Sequence, residues 1–137
     1  MSTEANVKIV DELSKQSGRN IWFYRHFDGE PESTLPTLMK FMQWVEQGKI
    51  RDTAIQASGW LIIIGAEEYG KFYTSPLLIK QDTTDSWKVG AYEPTTGEHA
   101  CISYLYILDL DEMKIEVWKK GFNSSQGLLE TITNFNI

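Results

Sequence analysis

The sequence predicts an α+β domain in which a largely antiparallel sheet of about four strands carries three to four packed helices. Three observations lead there. Helical periodicity dominates the first half of the chain and alternating β-branched and aromatic runs dominate the second. Strands and helices do not alternate as βαβ units, which disfavours an all-parallel sheet. The chain has 137 residues without internal repeats, charge blocks or linkers, which suits a single domain spanning 1–137.

Residues 3–17 are expected to form a first helix, because Val7, Val10 and Leu13 recur at three-residue steps and Gly18 supplies a stop. Residues 20–27 read as a strand with Ile21, Phe23, Arg25 and Phe27 on one face and Trp22, Tyr24, His26 and Asp28 on the other. Both faces are largely apolar, as in a strand covered on both sides. Asp28-Gly29 breaks it, and Pro31 and Pro36 each bias the preceding residue away from helix. Residues 34–47 carry the clearest helical stripe, Leu35, Leu38, Phe41, Met42 and Val45, with Ser33 or Thr34 as cap.

A third helix is expected over about 52–69, opened by Thr53 with Gln56 as a capping box and lined by Ala54, Ala57, Leu61 and Ile64. Its run Trp60–Ile64 also suits a buried strand. Gly59 and Gly65 would permit close packing on two sides. A strand interrupted by Pro76 is expected within 72–79, another over 87–93, and a turn at Pro94–Gly97. Residues 99–110 read as a long strand with Ile102, Tyr104, Tyr106 and Leu108 on one face. Met113–Trp118 should pair back on it as a hairpin. The tail from Ser124 to Phe135 suits a short helix with Leu128, Leu129 and Ile132 inward.

Charge narrows the function. The net charge of −6 disfavours sequence-independent binding to nucleic acid and binding to an anionic membrane surface, both of which need a basic face. The lone Cys101 cannot form an internal disulfide and sits in an apolar run, which suggests a small core residue in a reducing compartment. The opening Met-Ser-Thr-Glu-Ala-Asn shows no basic region followed by an apolar one, and no apolar run approaches the ~20 residues of a spanning helix. A cytoplasmic protein is the expectation.

The chemistry-bearing residues concentrate at Asn20–Pro36, which holds one of the two histidines and Asp28, Glu30 and Glu32. Tyr24-Arg25-His26-Phe27-Asp28-Gly29-Glu30-Pro31-Glu32 resembles a Tyr-Arg-His-x-Asp-Gly-Tyr-Pro-Glu motif of small uncharacterised proteins of bacteria, phages and prophages. In these a later His is followed by Tyr-x-Tyr-x-Ile-Asp-Leu. Here His99 precedes Tyr104-Leu105-Tyr106-Ile107-Leu108-Asp109-Leu110, with one extra residue before the aspartate. Glu30 stands where the motif has an aromatic residue, and a glycine expected soon after Pro-Glu is absent. The resemblance implies an address for a site and no reaction.

Two functional readings follow. In the first, a non-enzymatic module binds a protein or small ligand through Tyr24, Arg25, His26, Asp28, Glu30, His99, Tyr104 and Tyr106, without a cofactor. Trp22, Tyr24, Tyr104, Tyr106 and Trp118 would form an aromatic sheet face edged by Arg25, His26 and Asp28, suited to a ligand cleft or homodimer contact. In the second, a small metal-dependent enzyme uses His26, Asp28 and His99, the ligand types of a two-histidine, one-carboxylate triad.

Overall fold

The computed structural model describes residues 3–70, 90–121 and 127–136. Six strands and three helices follow in the order β1 (Ala5–Val10), α1 (Glu12–Ser17), β2 (Ile21–Arg25), α2 (Pro31–Glu46), α3 (Ala54–Gly70), β3 (Glu93–Thr95), β4 (Tyr104–Asp109), β5 (Lys114–Lys119) and β6 (Gly127–Ile132). They build one six-stranded sheet in the order β3-β2-β1-β4-β5-β6. The α+β class therefore holds. The sheet has two more strands than expected and is mixed, because β1 and β4 run parallel while every other pair is antiparallel.

The first correction explains the topology. Residues 5–10 are the central strand and not the start of a helix. Ala5, Val7 and Ile9 face α2 and α3, while Asn6 and Val10 are buried on the opposite side. A strand buried on both faces shows no clean alternation, so its three-residue recurrence of valines mimicked a helix. Only Glu12–Ser17 is helical. Asp11 accepts from the Ser14 amide at 2.7 Å while the Ser14 hydroxyl accepts from the Asp11 amide at 2.8 Å. Gly18, at φ 74°, closes the helix from the left-handed region as its sequence position predicts.

α2 begins at Pro31, three residues before the expected start. Proline is favoured in the first helical position, where its missing N–H has no helical partner to lose. Residues 60–64 belong to α3. Thr53 takes the capping position through its carbonyl, which accepts from the Ala57 amide at 2.8 Å, but its hydroxyl meets the Gln56 side chain at 3.0 Å. The Ala54 amide is capped from far away, by Asp11 Oδ2 at 2.8 Å.

The core lies between α2, α3 and one sheet face. It joins Leu38, Phe41 and Met42 of α2 and Leu61 and Ile64 of α3 to Phe23, Tyr106, Leu108 and Ile115 of the sheet. Gly65 lies where a Cβ would come within 2.6 Å of the Tyr92 ring, so close packing there requires glycine. Gly59 borders open space, contrary to expectation.

Three further expectations are corrected. The tail forms edge strand β6 on β5, with Leu128 and Leu129 exposed. Phe135 beyond it returns to the core. Pro94 and Thr95 lie in β3 and not in a turn, and the strand expected from 99 begins at Tyr104. The strand expected over 72–79 and residues 87–89 of that expected over 87–93 lie outside the described residues; of the remainder, Gly90, Ala91 and Tyr92 are not strand, and only Glu93 is, at the start of β3. No helix among the described residues is long and apolar enough to cross a membrane.

Candidate functional site

Alternation along β2 sends Tyr24 and Arg25 to opposite faces of the sheet and divides the expected site in two. On the face away from α2 and α3, Tyr24 is the centre. Its phenol donates a short hydrogen bond to the Glu4 carboxylate and lies 2.8 Å from His26 Nδ1. His26 Nδ1 is 3.5 Å from the same Glu4 oxygen. The His99 ring stacks on the Tyr24 ring at 4.1 Å between centroids and 9° between planes. Thr95 Oγ1 lies 3.0 Å from His99 Nε2. The His99 amide donates to Asn6 Oδ1 at 2.7 Å, and Asn6 Nδ2 donates to the Phe23 carbonyl at 2.9 Å. The fully buried Asn6 thus pins the His99 loop to the sheet.

Proton counting assigns the histidine tautomer. Tyr24 has one proton, and it goes to Glu4. The phenol oxygen must then accept, so His26 carries its proton on Nδ1 and keeps Nε2 as an acceptor when neutral. Burial, reinforced by the Glu4 carboxylate, pushes the Tyr24 phenol well above its ordinary range. Tyr24 therefore stays neutral and keeps its donor role.

On the other side, the turn that follows β2 is tied down from below. The Asp28 carbonyl accepts from Arg25 Nε at 3.0 Å and from Thr34 Oγ1 at 2.8 Å. The Gly29 carbonyl accepts from the Tyr106 hydroxyl at 2.6 Å, and the Gly29 amide donates to the Thr3 carbonyl at 2.8 Å. Arg25 is buried. It meets Glu68 at 2.8 Å and lies over the Tyr92 ring at 5.0 Å. Thr37 donates to the other Glu68 oxygen at 2.6 Å. Burial pushes the Tyr106 phenol far up as well. Asp28 takes the left-handed conformation at φ 57°, which aspartate tolerates better than most residues, and its side chain points to solvent. Glu30 accepts from the Ser33 hydroxyl at 2.6 Å, and this bond holds its carboxyl below the usual range.

The expected site residues therefore separate into three groups. Tyr24, His26 and His99 converge. Asp28 and Glu30 stand on the rigid turn beside them. Arg25, Tyr104 and Tyr106 lie on the helix-covered face, and Arg25 and Tyr106 support the turn. The expected aromatic face is split in the same way, with Trp22, Tyr24 and Trp118 on one side and Tyr104 and Tyr106 on the other. Asp28 does not join the two histidines. Among the described residues no group of three His, Cys, Asp or Glu side chains is placed to hold a metal. Cys101 is exposed, contrary to the core position expected for it.

Glu4, Asn6 and Thr95 were missed. Asn6 left a trace in the sequence, since a polar residue amid Ala5, Val7 and Ile9 needs a specific partner if buried. Glu4 and Thr95 left none, because neither lies near the motif in the chain.

Elsewhere, a concavity of about 480 Å³ opens beyond the C-terminal ends of β1 and β4, bordered by Asp11, Glu12, Leu13, Asp52 and Asp111. Asp11 is occupied there by the amides that begin α1 and α3. No protein-family model matches the chain, and neither curated proteins nor solved structures show a similar one.

Proposed function

We propose that the protein is a non-enzymatic binding module that takes a protein partner or small ligand on the surface built by Tyr24, His26, Asp28, Glu30 and His99. One observation carries this reading. A short turn bearing exposed recognition groups is held by buried donors on both of its central carbonyls. Such a turn loses little conformational freedom when a partner docks, which is the main saving available to a small interface. The two histidine rings present aromatic and acceptor surface, and Asp28 stands exposed on the turn that follows His26 in the chain. The Tyr24 hydroxyl donates to Glu4 and its oxygen meets His26 Nδ1, so these groups are already engaged, which suits recognition better than proton transfer to a substrate. With a net charge of −6, a neutral or basic partner is favoured over nucleic acid or an anionic membrane.

Protein-observed NMR with a library of neutral and cationic fragments and short basic peptides tests this. Binders should shift the ring signals of His26 and His99 and the amides of 26–32, and His26→Ala with His99→Ala should remove the effect. Binders that cluster instead at the cleft beside Asp11 would refute the assignment.

A further inference from the structure

The middle of α3, residues 59–66, is apolar on every side. Such a helix is normally buried all round, yet only one side of α3 reaches the core. Ile55 is 72% exposed, Ile63 54%, Trp60 42% and Ile62 41%. Gly59 and Ala66 are also at the surface. Residues 55, 59, 62 and 66 are separated by four, three and four positions, the spacing of a coiled-coil seam. Along this seam large and small residues alternate: Ile55, Gly59, Ile62, Ala66. A Cβ built on Gly59 meets nothing within 4 Å, so among the described residues no packing contact requires this glycine, which leaves a notch in the surface.

We infer that this face of α3 is covered by the same face of a second copy, in an antiparallel, two-fold helix pair. The pattern is self-complementary in that arrangement. Placing Ile55 opposite the partner's Ala66 also places Gly59 opposite the partner's Ile62, and the two-fold axis repeats both pairs. Both large side chains of the seam then meet small ones, so the helices approach closely, with Trp60 and Ile63 on the flanks. Ends match in charge too. Arg51, whose guanidinium donates to the Gln56 side-chain oxygen at 3.4 Å, comes to the end of the partner helix that carries Glu67, which is 60% exposed and has Lys40 of its own chain at 3.3 Å. Antiparallel helix dipoles add a small attraction.

The patch size places the contact among the weak, transient interfaces. Its four large side chains expose the equivalent of about two whole ones, on the order of 300–500 Å² per copy at the 150–250 Å² of a large buried side chain. That is the low end of specific interfaces, where association is reversible. The dimer would display its two Tyr24–His99 surfaces outward, since these lie on the opposite sheet face from α3. A divalent partner would gain from both.

Sedimentation equilibrium from about 5 to about 500 µM decides the matter, with reversible association within that range expected for so small an interface. Ile62→Lys should be monomeric throughout. Gly59→Leu is the sharper variant. It should abolish the dimer by filling the notch, yet melt no lower than the parent, because replacing a mid-helix glycine beside open space favours the helix. A parent chain that is monomeric at about 500 µM would overturn the inference. So would a Gly59→Leu chain that dimerises as well as its parent.

Discussion

Replacing Tyr106 by phenylalanine isolates the support of the turn at Asp28-Gly29. The ring is fully buried and its packing is retained, so the perturbation is the loss of one hydroxyl. That hydroxyl donates to the Gly29 carbonyl at 2.6 Å, and Gly29 is itself buried. Phenylalanine leaves the carbonyl without this donor in a site built to satisfy it. An unsatisfied buried acceptor costs about 1–3 kcal/mol, and relief from burying the hydroxyl trims this to about 1–2 kcal/mol. Urea denaturation should show that loss with an unchanged m-value, and the melting temperature should fall by about 3–8 °C. Hydrogen exchange supplies the local readout. The Gly29 amide, bonded to the Thr3 carbonyl, should lose more protection than the amides of β5. Thr34→Val serves as the internal comparison. It removes one of two donors to the Asp28 carbonyl, with Arg25 remaining, so it should cost less, about 0.5–1 kcal/mol. Equal losses in the two variants, or a Tyr106→Phe chain as stable as its parent, would refute the idea that this hydroxyl fixes the turn.

Gly29→Ala should destabilise by about 2–3 kcal/mol in the same assay, because its Cβ would lie 2.7 Å from the Thr3 carbonyl and 2.9 Å from the Ala5 side chain, neither of which can yield cheaply. Asp11→Ala removes the caps of α1 and α3 together and should cost about 1–3 kcal/mol, where an ordinary cap costs ~1; a loss below that would show that water replaces it at Ala54. Burial raises the carboxyl pKa of Asp109, but the Glu112 and Asp111 amides and Lys15 outweigh it and hold the group below its ordinary 3.8. Its stabilising contribution is therefore complete above the ordinary value and lost as pH falls through the lower, folded one. Lys15→Met should accordingly be less stable than the parent near neutrality, with a gap that narrows in urea titrations taken below about pH 4.

Local chemistry made parts of this molecule readable. Gly18 marks the end of α1, the stripe from Leu35 to Val45 marks α2, and the Asp109–Glu112 turn marks the β4–β5 hairpin. Each is decided within one or two turns of chain, by a left-handed glycine, an amphipathic period or an aspartate that takes up the amides of its own turn. β1 and β6 were not readable. Val7 and Ile9 are buried beneath α2 and α3 and Asn6 beneath the His99 loop, all supplied by later parts of the chain, so their burial has no local period. Leu128, Leu129 and Ile132 have helical spacing, but the free edge of β5 draws them into a strand. Propensity yields where a sheet edge offers a full row of backbone partners.

The candidate site divides along the same line. From sequence alone, Tyr24, His26 and Asp28 stand out as chemistry-bearing residues on a strand and its turn, and His99 as a distant companion. Tertiary structure decided that Tyr24 sits between the two histidines, that Glu4 accepts the tyrosine's hydrogen bond, and that Arg25 and Tyr106 hold the turn from the opposite face. The reason is geometric. Alternation assigns a side chain to one of two faces but does not say what covers either, and here the answer comes from β1 and its parallel pairing with β4.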